Sequence, residues 1–288
     1  MERLARSAGH LDVLRARHCS KEVPLWNGKR MRVIEGDYVS QVISQTGGCE
    51  PETTAIFQKL LQPGAIVFDV GANLGYYTLV AAGLAGPNGR VHSFEPNPAV
   101  CGLLRESVRL NALRNVTVNE AGVSEAEGRA KLYVTIPEQM SMASLRPPRQ
   151  ATTGKDVGSG LTRTIRLVCL DDYIEHRGIA RIDLIKMDVE GAEMKALRGA
   201  QRLLGRQEKP VIIMEFNAAA LGRLGSSCSE VARFLLTRDF SLYRVLPGEL
   251  EPYESGVPKP YFNVLAVPNR VRESILERVS EPVTAPRF

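Results

Sequence analysis

The stretch VFDVGANLGYYTLVAA, residues 67–82, decides how the whole chain is read. A β-branched apolar run ends in Asp69, the backbone passes through Gly71 and Gly75, and an apolar helical pattern follows at once. Glycines at such a strand-to-helix turn let the backbone approach a ligand closely, and the first amides of the helix then face it. A tight turn with no ligand needs the same glycines, so the turn alone leaves both readings open. Further along, Glu95 ends the next strand, and Pro96 and Asn97 stop that strand and start a helix. A carboxylate there accepts hydrogen bonds from both hydroxyls of a ribose, each charge-assisted bond being worth about 1.5–3 kcal/mol. Turn and carboxylate together favour an adenosine-bearing ligand over a glutamate that merely answers a helix dipole. A dinucleotide fingerprint would keep a third glycine for a pyrophosphate, and Gly71-Ala72-Asn73-Leu74-Gly75 lacks it. Asp69 also suits a cationic, amino-bearing ligand better than a diphosphate, so S-adenosylmethionine fits better than NAD.

Outward from this turn, short β-branched runs alternate with helical patterns, the signature of a mostly parallel α/β sheet with helices on both faces. Strands are predicted at 66–70, 90–95, 116–121, 182–188 and 210–216, and helices at 74–84, 97–110, 191–204 and 228–238. Runs at 241–246 and 261–267 read as a closing pair with a polar helix at 269–279 behind them, which makes about seven strands. Two segments stand outside the alternation. Residues 1–47 form an N-terminal extension with a helical start, and a turn at Trp26-Asn27-Gly28 joins VPLW to RMRVIE as a hairpin, read as a flap on the main domain of 48–288. Residues 128–170 place KLYVTI and TIRLVCL around SMASLRPPRQATTGKDVGSG, an inserted hairpin whose long loop is read as a lid. Arg146, Arg149, Lys155 and Arg163 on it either draw in a polar acceptor or are simply solvated.

Composition narrows the classes. A chain of 288 residues with 44% hydrophobic content supports one α/β domain with additions. Its 37 basic and 32 acidic residues are spread without a basic tract, so no nucleic-acid partner is expected. Five cysteines (Cys19, Cys49, Cys101, Cys169, Cys228) form no C-x-x-C pair, which argues against a disulfide framework or structural zinc and for a reducing compartment. The start MERLARSAGH lacks the apolar run of a signal peptide, and no stretch reaches the ~18 apolar residues of a membrane span, so a cytoplasmic protein is expected. The four histidines show no metal-ligand spacing, and His92, inside a predicted strand, reads as a core residue.

Several motifs then line up: Glu50-Pro51, FDVGANLGYYT at 68–78, V-x-x-FEPNP at 91–98, LNALRNV at 110–116, IDLIKMDVEGAE at 182–193, and a strand ending in MEFN. In this order and spacing they resemble the FkbM-type methyltransferase family over roughly residues 49–217. The resemblance implies a Rossmann-like class I methyltransferase sheet, S-adenosylmethionine as cofactor and transfer to a hydroxyl. It implies that Asp69, Gly71, Asn73 and Gly75 hold the methionine part of the cofactor, that Glu95 beside Pro96 holds the ribose, and that the adenine lies near Glu120 and Ala121. Glu50 belongs to the same pocket, although Cys49 stands where the family usually carries an aromatic residue. Asn73 reads equally well as a cap of the following helix.

The block KMDVEGAE is richer than a cofactor site needs. It puts Asp188 at the carboxyl end of a strand, where open α/β sheets bind ligands, with Glu190 and Glu193 on the next turns. A hydroxyl acceptor must lose its proton as it attacks a sulfonium methyl, which calls for a carboxylate base or a metal-bound alkoxide. Asp188, Glu190 and Glu215 are the candidates for the acceptor side, with Lys186 pairing or positioning one of them. The plainer alternative has Glu190 and Glu193 complementing a helix dipole and Lys186 paired with Glu215 across adjacent strands. Asp188, Glu215 and Asn217 also offer oxygen ligands to a divalent ion such as Mg²⁺, although no metal site is predicted. Family acceptors are sugars, glycolipids and secondary metabolites, so a polar small molecule or glycan is expected, with a homodimer left open. The competing functions are nucleic-acid methylation, which would want a basic groove with aromatic residues, and a silent cofactor-fold scaffold.

Overall fold

The computed structural model describes residues 19–134, 143–145, 161–253 and 261–281. It opens with an antiparallel hairpin, β1 (Ser20–Pro24) and β2 (Arg30–Ile34), closed by Leu25 N–H on the Lys29 carbonyl and by the Asn27 side chain accepting from Lys29 N–H. Helix α1 (Tyr38–Thr46) starts at Asp37, whose carboxylate accepts from Ser40 N–H, and stops at Gly47. Helix α2 (Pro51–Leu60) begins with a proline whose missing N–H costs nothing in the first turn.

The alternating part follows: β3 (Ile66–Val70), α3 (Tyr76–Ala85), β4 (Arg90–Phe94), α4 (Pro98–Leu110) and β5 (Val116–Asn119). An inserted unit contributes β6 (Gly122–Val123), β7 (Gly128–Val134), β8 (Ala143–Ser144) and β9 (Leu161–Val168). The chain returns through α5 (Leu170–Arg177), β10 (Leu184–Met187), α6 (Glu193–Arg198), α7 (Gln201–Leu204), β11 (Val211–Asn217), α8 (Ala218–Arg223) and α9 (Cys228–Leu236). It closes with β12 (Phe240–Leu246), β13 (Glu249–Pro252), β14 (Tyr261–Pro268) and α10 (Arg272–Ser280).

The main sheet has the order β13-β12-β14-β11-β10-β3-β4-β5. From β11 to β5 all pairings are parallel, while β14 runs antiparallel between β11 and β12. The eighth strand, beyond the predicted seven, is β13, an edge hairpin partner of β12. Alternation of side chains divides the core. Val67, Val91, Ile213 and Leu265 face α2, α3, α4 and the N-terminal hairpin, whereas Phe68, Ile185, Ile212 and Met214 face α5 to α9.

Two predicted elements are each broken by a tertiary contact. The single helix read over 191–204 divides into α6 and α7 at Gly199, where a Cβ would lie 2.1 Å from the Ser124 carbonyl oxygen. Asp171, from α5, then caps the second piece by accepting from Arg202 and Leu203 N–H. The strand read over 116–121 ends at Asn119, and the chain leaves the main sheet to start a four-stranded one of order β6-β9-β7-β8. The N-terminal hairpin is fastened to α4, with Arg30 N–H on Asn111 Oδ1 and Arg32 N–H on Ser107 Oγ, both at 2.9 Å. The helical start in residues 1–18 and the lid segment 146–160 lie outside the described residues. Among the described residues no helix is long and apolar enough to cross a membrane.

Candidate active site

A cavity of about 160 Å³ opens at the carboxyl ends of β3, β4 and β10. Its polar wall consists of Glu50, Asp69, Glu95, Lys186, Asp188 and Glu190. The two additions to the alternating sheet supply apolar walls, Met31, Val39 and Ile43 from the N-terminal segment and Leu132, Ile165 and Leu167 from the inserted sheet. The site is therefore built from three parts of the chain that the local pattern reads as separate.

The turn after β3 is internally satisfied. Gly71 and Ala72 N–H both donate to the Phe94 carbonyl, Asn73 N–H to Glu95 Oε2 at 2.9 Å, Leu74 N–H to Asn73 Oδ1, and Gly75 N–H to the Ala72 carbonyl. A phosphate cradle requires free amides, and those of residues 71–75 are all engaged within the protein. The glycines serve the protein's own packing. Gly71, at φ +83°, would place a Cβ 1.8 Å from the Asp188 carbonyl oxygen, and Gly75, at φ +99°, would meet Leu104 at 2.3 Å. What the cavity presents instead is carboxylate oxygen, which fits ammonium, sulfonium and ribose hydroxyl groups.

Asp69 is buried with Oδ2 accepting from Thr78 Oγ1 at 2.5 Å, and Thr78 is itself bonded to Ser93. Burial raises its pKa to about 6, against the lowering effects of Thr78 and Lys186. Glu95 is fixed from both sides, Oε1 accepting from Asn97 N–H at 2.7 Å and Oε2 from Asn73 N–H, and burial lifts it to about 7. Each oxygen of a carboxylate has a second lone pair, so Glu95 still accepts from a ligand hydroxyl. Asn73 both points its amide at Glu95 and turns its own side chain onto Leu74 N–H.

Among the residues expected on the acceptor side, Lys186 lies 1% exposed under the Tyr77 ring, with Nζ 3.3 Å from Asp188 Oδ2. Burial alone would lower its pKa, and Asp188, Glu50, Glu215 and Asp69 together drive it upward, so the ammonium is firmly charged. The lysine's ion pair is thus with Asp188 on its own strand, not with Glu215 across the sheet. Glu193 accepts from Val189 and Gly191 N–H, both at 3.2 Å, and so supports the turn that carries Glu190. Glu190 itself lines the cavity at φ +53°, a strained backbone for a non-glycine residue, and burial beside Asp188 and Glu193 raises it to about 7. Glu215 does not line this cavity. It sits at its margin with Oε2 buried and unpartnered, and burial with Asp188 and Glu190 lifts it to about 9.

Pro96 and Ala121 line the cavity, but Glu120 turns away and pairs with Arg105 at 2.7 Å. Asn217 caps α8, its Oδ1 accepting from Ala220 N–H at 3.1 Å. Among the described residues no three His, Cys, Asp or Glu side chains gather in metal-binding geometry. Several site residues carry no local signature. Tyr77 OH and Asn263 Nδ2 both donate to Glu50 Oε2, at 3.2 and 2.8 Å, and Trp26 Nε1 donates to Tyr76 OH at 3.0 Å, linking the N-terminal hairpin to the cofactor turn. Only Asn263, polar within an otherwise apolar strand, offered a hint. His92 lies in the core beside Phe68 and Tyr173, where burial lowers its pKa to about 4.

A model of the methyltransferase FkbM domain matches residues 69–242, more than half of the chain. The chain belongs to the FkbM methyltransferase family. S-adenosylmethionine, the cofactor of this family, agrees with a cavity lined by carboxylates, and the parallel sheet closed by an antiparallel β14 is a class I methyltransferase sheet. The 31-O-demethyl-FK506 methyltransferase FkbM of Streptomyces tacrolimicus is 33% identical over 165 residues, 49% of this chain and 61% of that protein. The match thus spans about three fifths of that relative's length. Methyltransferase sdnD of Sordaria araneosa is 25% identical over 200 residues, covering 62% and 77% of the two chains. The 2-O-methyltransferase NoeI of Sinorhizobium fredii is 26% identical over 155 residues, covering 52% and 63%.

The crowded carboxylates of this FkbM-type site set a pH signature. Asp69, Glu95, Glu190, Glu193 and Glu215 all hold protons more tightly in the folded than in the unfolded chain. Their contribution to stability is complete below the unfolded carboxylate pKa and is lost as pH rises through about 6 to 9. His92 acts oppositely, since its lowered pKa removes stability as pH falls from 6.5 to about 4. The melting temperature of the cofactor-free protein is expected to be higher at pH 6 than at pH 8.5, with the difference reduced in Glu215→Gln. A melting temperature that rises from pH 6 to 8.5 in differential scanning calorimetry would contradict this.

Proposed function

We propose that the protein transfers the methyl group of S-adenosylmethionine to a hydroxyl of a polar acceptor, a sugar, glycolipid or secondary metabolite. Glu190 is assigned as general base. The observation that carries this reading is the Glu190 carboxylate, presented to the cavity by a strained turn with a pKa near neutrality, next to the Lys186–Asp188 pair. A base with a pKa near the working pH combines a useful unprotonated fraction with enough basicity to take a proton.

The cofactor supplies a methyl carbon activated by a sulfonium. With the cofactor bound, Glu190 would take the proton that the acceptor hydroxyl gives up on methylation. Lys186 keeps Asp188 in place through their 3.3 Å contact, and the apolar walls from Met31, Val39, Leu132 and Ile165 limit water around the reacting groups. Hydroxyl transfer is supported by the names of two relatives, each an O-methyltransferase. No cationic groove with stacking aromatics lines the cavity among the described residues, which favours a small acceptor over a nucleic acid.

Calorimetric titration with S-adenosylmethionine, with and without EDTA, tests the cofactor half. Glu95→Ala is expected to weaken binding roughly 10²-fold or more, the loss of up to two charge-assisted bonds. Glu95→Gln keeps an acceptor for only one of the Asn73 and Asn97 amides and sets an NH2 against the other, so it is expected to bind more weakly than the native protein and to be somewhat less stable. Native protein that fails to bind S-adenosylmethionine in either buffer would sink the assignment. Once binding is established, an acceptor panel read by mass gain of one methyl group tests the hydroxyl half.

A further inference from the structure

Beside the cavity, at the carboxyl end of β11, lies a group of side chains that the methyl-transfer step does not use. Glu215 is 6% exposed, and its Oε2 is buried without a hydrogen-bond partner. A buried carboxyl oxygen without a donor marks a missing partner. Its cross-strand neighbour in register is Asn263, and Tyr261 is paired in the same ladder with Asn217. Directly paired residues, and residues two apart on one strand, share a face of the sheet. Glu215, Asn263 and Tyr261 therefore project to one side, and that side is the cavity's, because Asn263 donates to Glu50 of the cavity wall at 2.8 Å.

Tyr261 is the outermost of the three. Its phenol lies against the Glu215 carboxyl and within electrostatic reach of Glu50 and Asp188, yet the residue is 55% exposed. Large apolar side chains this exposed are few among the described residues, and the others with marked exposure are Tyr38, Leu236 and Val271. An exposed aromatic ring whose phenol is bonded to a buried carboxyl that keeps one oxygen unpartnered, at the edge of the sheet where the acceptor must arrive, has the two halves that a hydroxylated ring needs. One is a flat apolar surface for its C–H face, and the other is a polar group for its hydroxyls.

We propose that Tyr261 and Glu215 form an acceptor subsite for an uncharged, pyranose-like ring, with the tyrosine ring packed on its C–H face and Glu215 bonded to a hydroxyl next to the one methylated. The subsite rests on the O-methyltransferase reading and narrows it. Glu215 is thereby a positioning residue and not a second base. Its pKa of about 9 agrees, since a protonated carboxyl both donates and accepts, as recognition of neighbouring hydroxyls requires. Asp188, Glu190 and Glu50 surround the same place, and the Lys186 ammonium is buried and committed to Asp188, so an acceptor carrying a carboxylate there meets like charge.

Saturation-transfer NMR on the full chain with excess S-adenosylhomocysteine tests the subsite, using methyl α-D-glucopyranoside, methyl α-D-galactopyranoside and methyl α-L-rhamnopyranoside as probes, with methyl α-D-glucuronide as the charged comparison. The native protein is expected to saturate ring C–H protons of at least one neutral glycoside and to saturate the glucuronide less. The signal is expected to fall by about five- to tenfold in Tyr261→Ala, as for loss of one aromatic packing surface, and to persist in Tyr261→Phe. Glu215→Leu is expected to lose it and Glu215→Gln to retain it. Calorimetric titration of each variant with S-adenosylhomocysteine serves as the folding control. Equal signals in native protein and Tyr261→Ala, or no signal from the native protein with any neutral glycoside, overturn the subsite while leaving methyl transfer standing. Failure of the native protein to bind the cofactor overturns the underlying reading instead.

Discussion

Replacing Gly71 with alanine is expected to destabilise the fold by roughly 3–5 kcal/mol and to abolish cofactor binding, the largest effect of any single methyl group in the site. Two causes add. Gly71 sits at φ +83°, where an L-residue costs about 1–3 kcal/mol. Its new Cβ would also stand 1.8 Å from the Asp188 carbonyl oxygen and 2.7 Å from the carbonyl carbon, which are backbone atoms with no rotamer to change. Relief requires β3 and β10 to separate at their carboxyl ends, and that movement displaces Asp69, Lys186 and Asp188 together. A domain stable by about 5–15 kcal/mol loses a large share of its margin. Gly75→Ala is the informative comparison, because its Cβ meets the tip of the Leu104 side chain, which has freedom to move, although its φ of +99° still carries strain. Urea denaturation with parallel titration of S-adenosylmethionine measures both effects. A Gly71→Ala protein within about 1 kcal/mol of the native one, with unchanged affinity, would show that the close contact of β3 with the Asp188 backbone is not what the turn requires.

Glu190→Gln is expected to lower kcat by about 10²- to 10⁴-fold, the usual worth of a general base, while S-adenosylmethionine binds nearly as before. The substitution preserves shape and removes only the basic oxygen. The pH profile gives the sign. Because burial beside Asp188 and Glu193 raises Glu190 to about 7, the native kcat should climb as pH rises through that value, as the carboxyl loses its proton and becomes able to take one from the acceptor. That limb should vanish in the variant. Glu193, with a similar pKa, holds the turn through Val189 and Gly191 N–H, so Glu193→Gln should alter stability and KM more than the shape of the profile. If Glu190→Gln keeps kcat within about threefold of native and retains the acid limb, the proton goes elsewhere, and Asp188 becomes the candidate.

The features that were legible are those whose meaning is local. A strand ending in Asp69, two glycines and an apolar helix can be read without partners, and the same holds for Trp26-Asn27-Gly28 as a hairpin turn and for Glu95 followed by Pro96 and Asn97. Alternation of β-branched runs with helical periods indicated a parallel sheet because each element carries its own period. Features set by a partner were not legible. The helix divides at Gly199 where Asp171 of α5 donates its N–H to the Gly199 carbonyl and caps the next piece with its carboxylate, and where the Ser124 backbone leaves no room for a Cβ. The spacing of Lys186, Asp188 and Glu215 admits either ion pair, and the choice of Asp188 depends on where the buried ammonium lies beneath Tyr77. Glu120 reads as a neighbour of the adenine until Arg105 on α4 is seen to hold it outside the cavity.

By itself, then, the sequence determined the class of sheet, the family and the carboxylates at the strand ends and turns, since those positions are specified by backbone geometry over a few neighbouring positions. Tertiary structure decided the surroundings of those carboxylates. Burial, which depends on segments far apart in the chain, places Glu190 near neutral pKa, leaves Glu215 with an unpartnered oxygen, and reserves Lys186 for Asp188. It also brought Met31 and Ile43 from before the sheet, and Leu132 and Ile165 from the inserted one, onto the same cavity. Charge state and access follow from desolvation and proximity in three dimensions, and neither quantity has a period or a spacing along the chain.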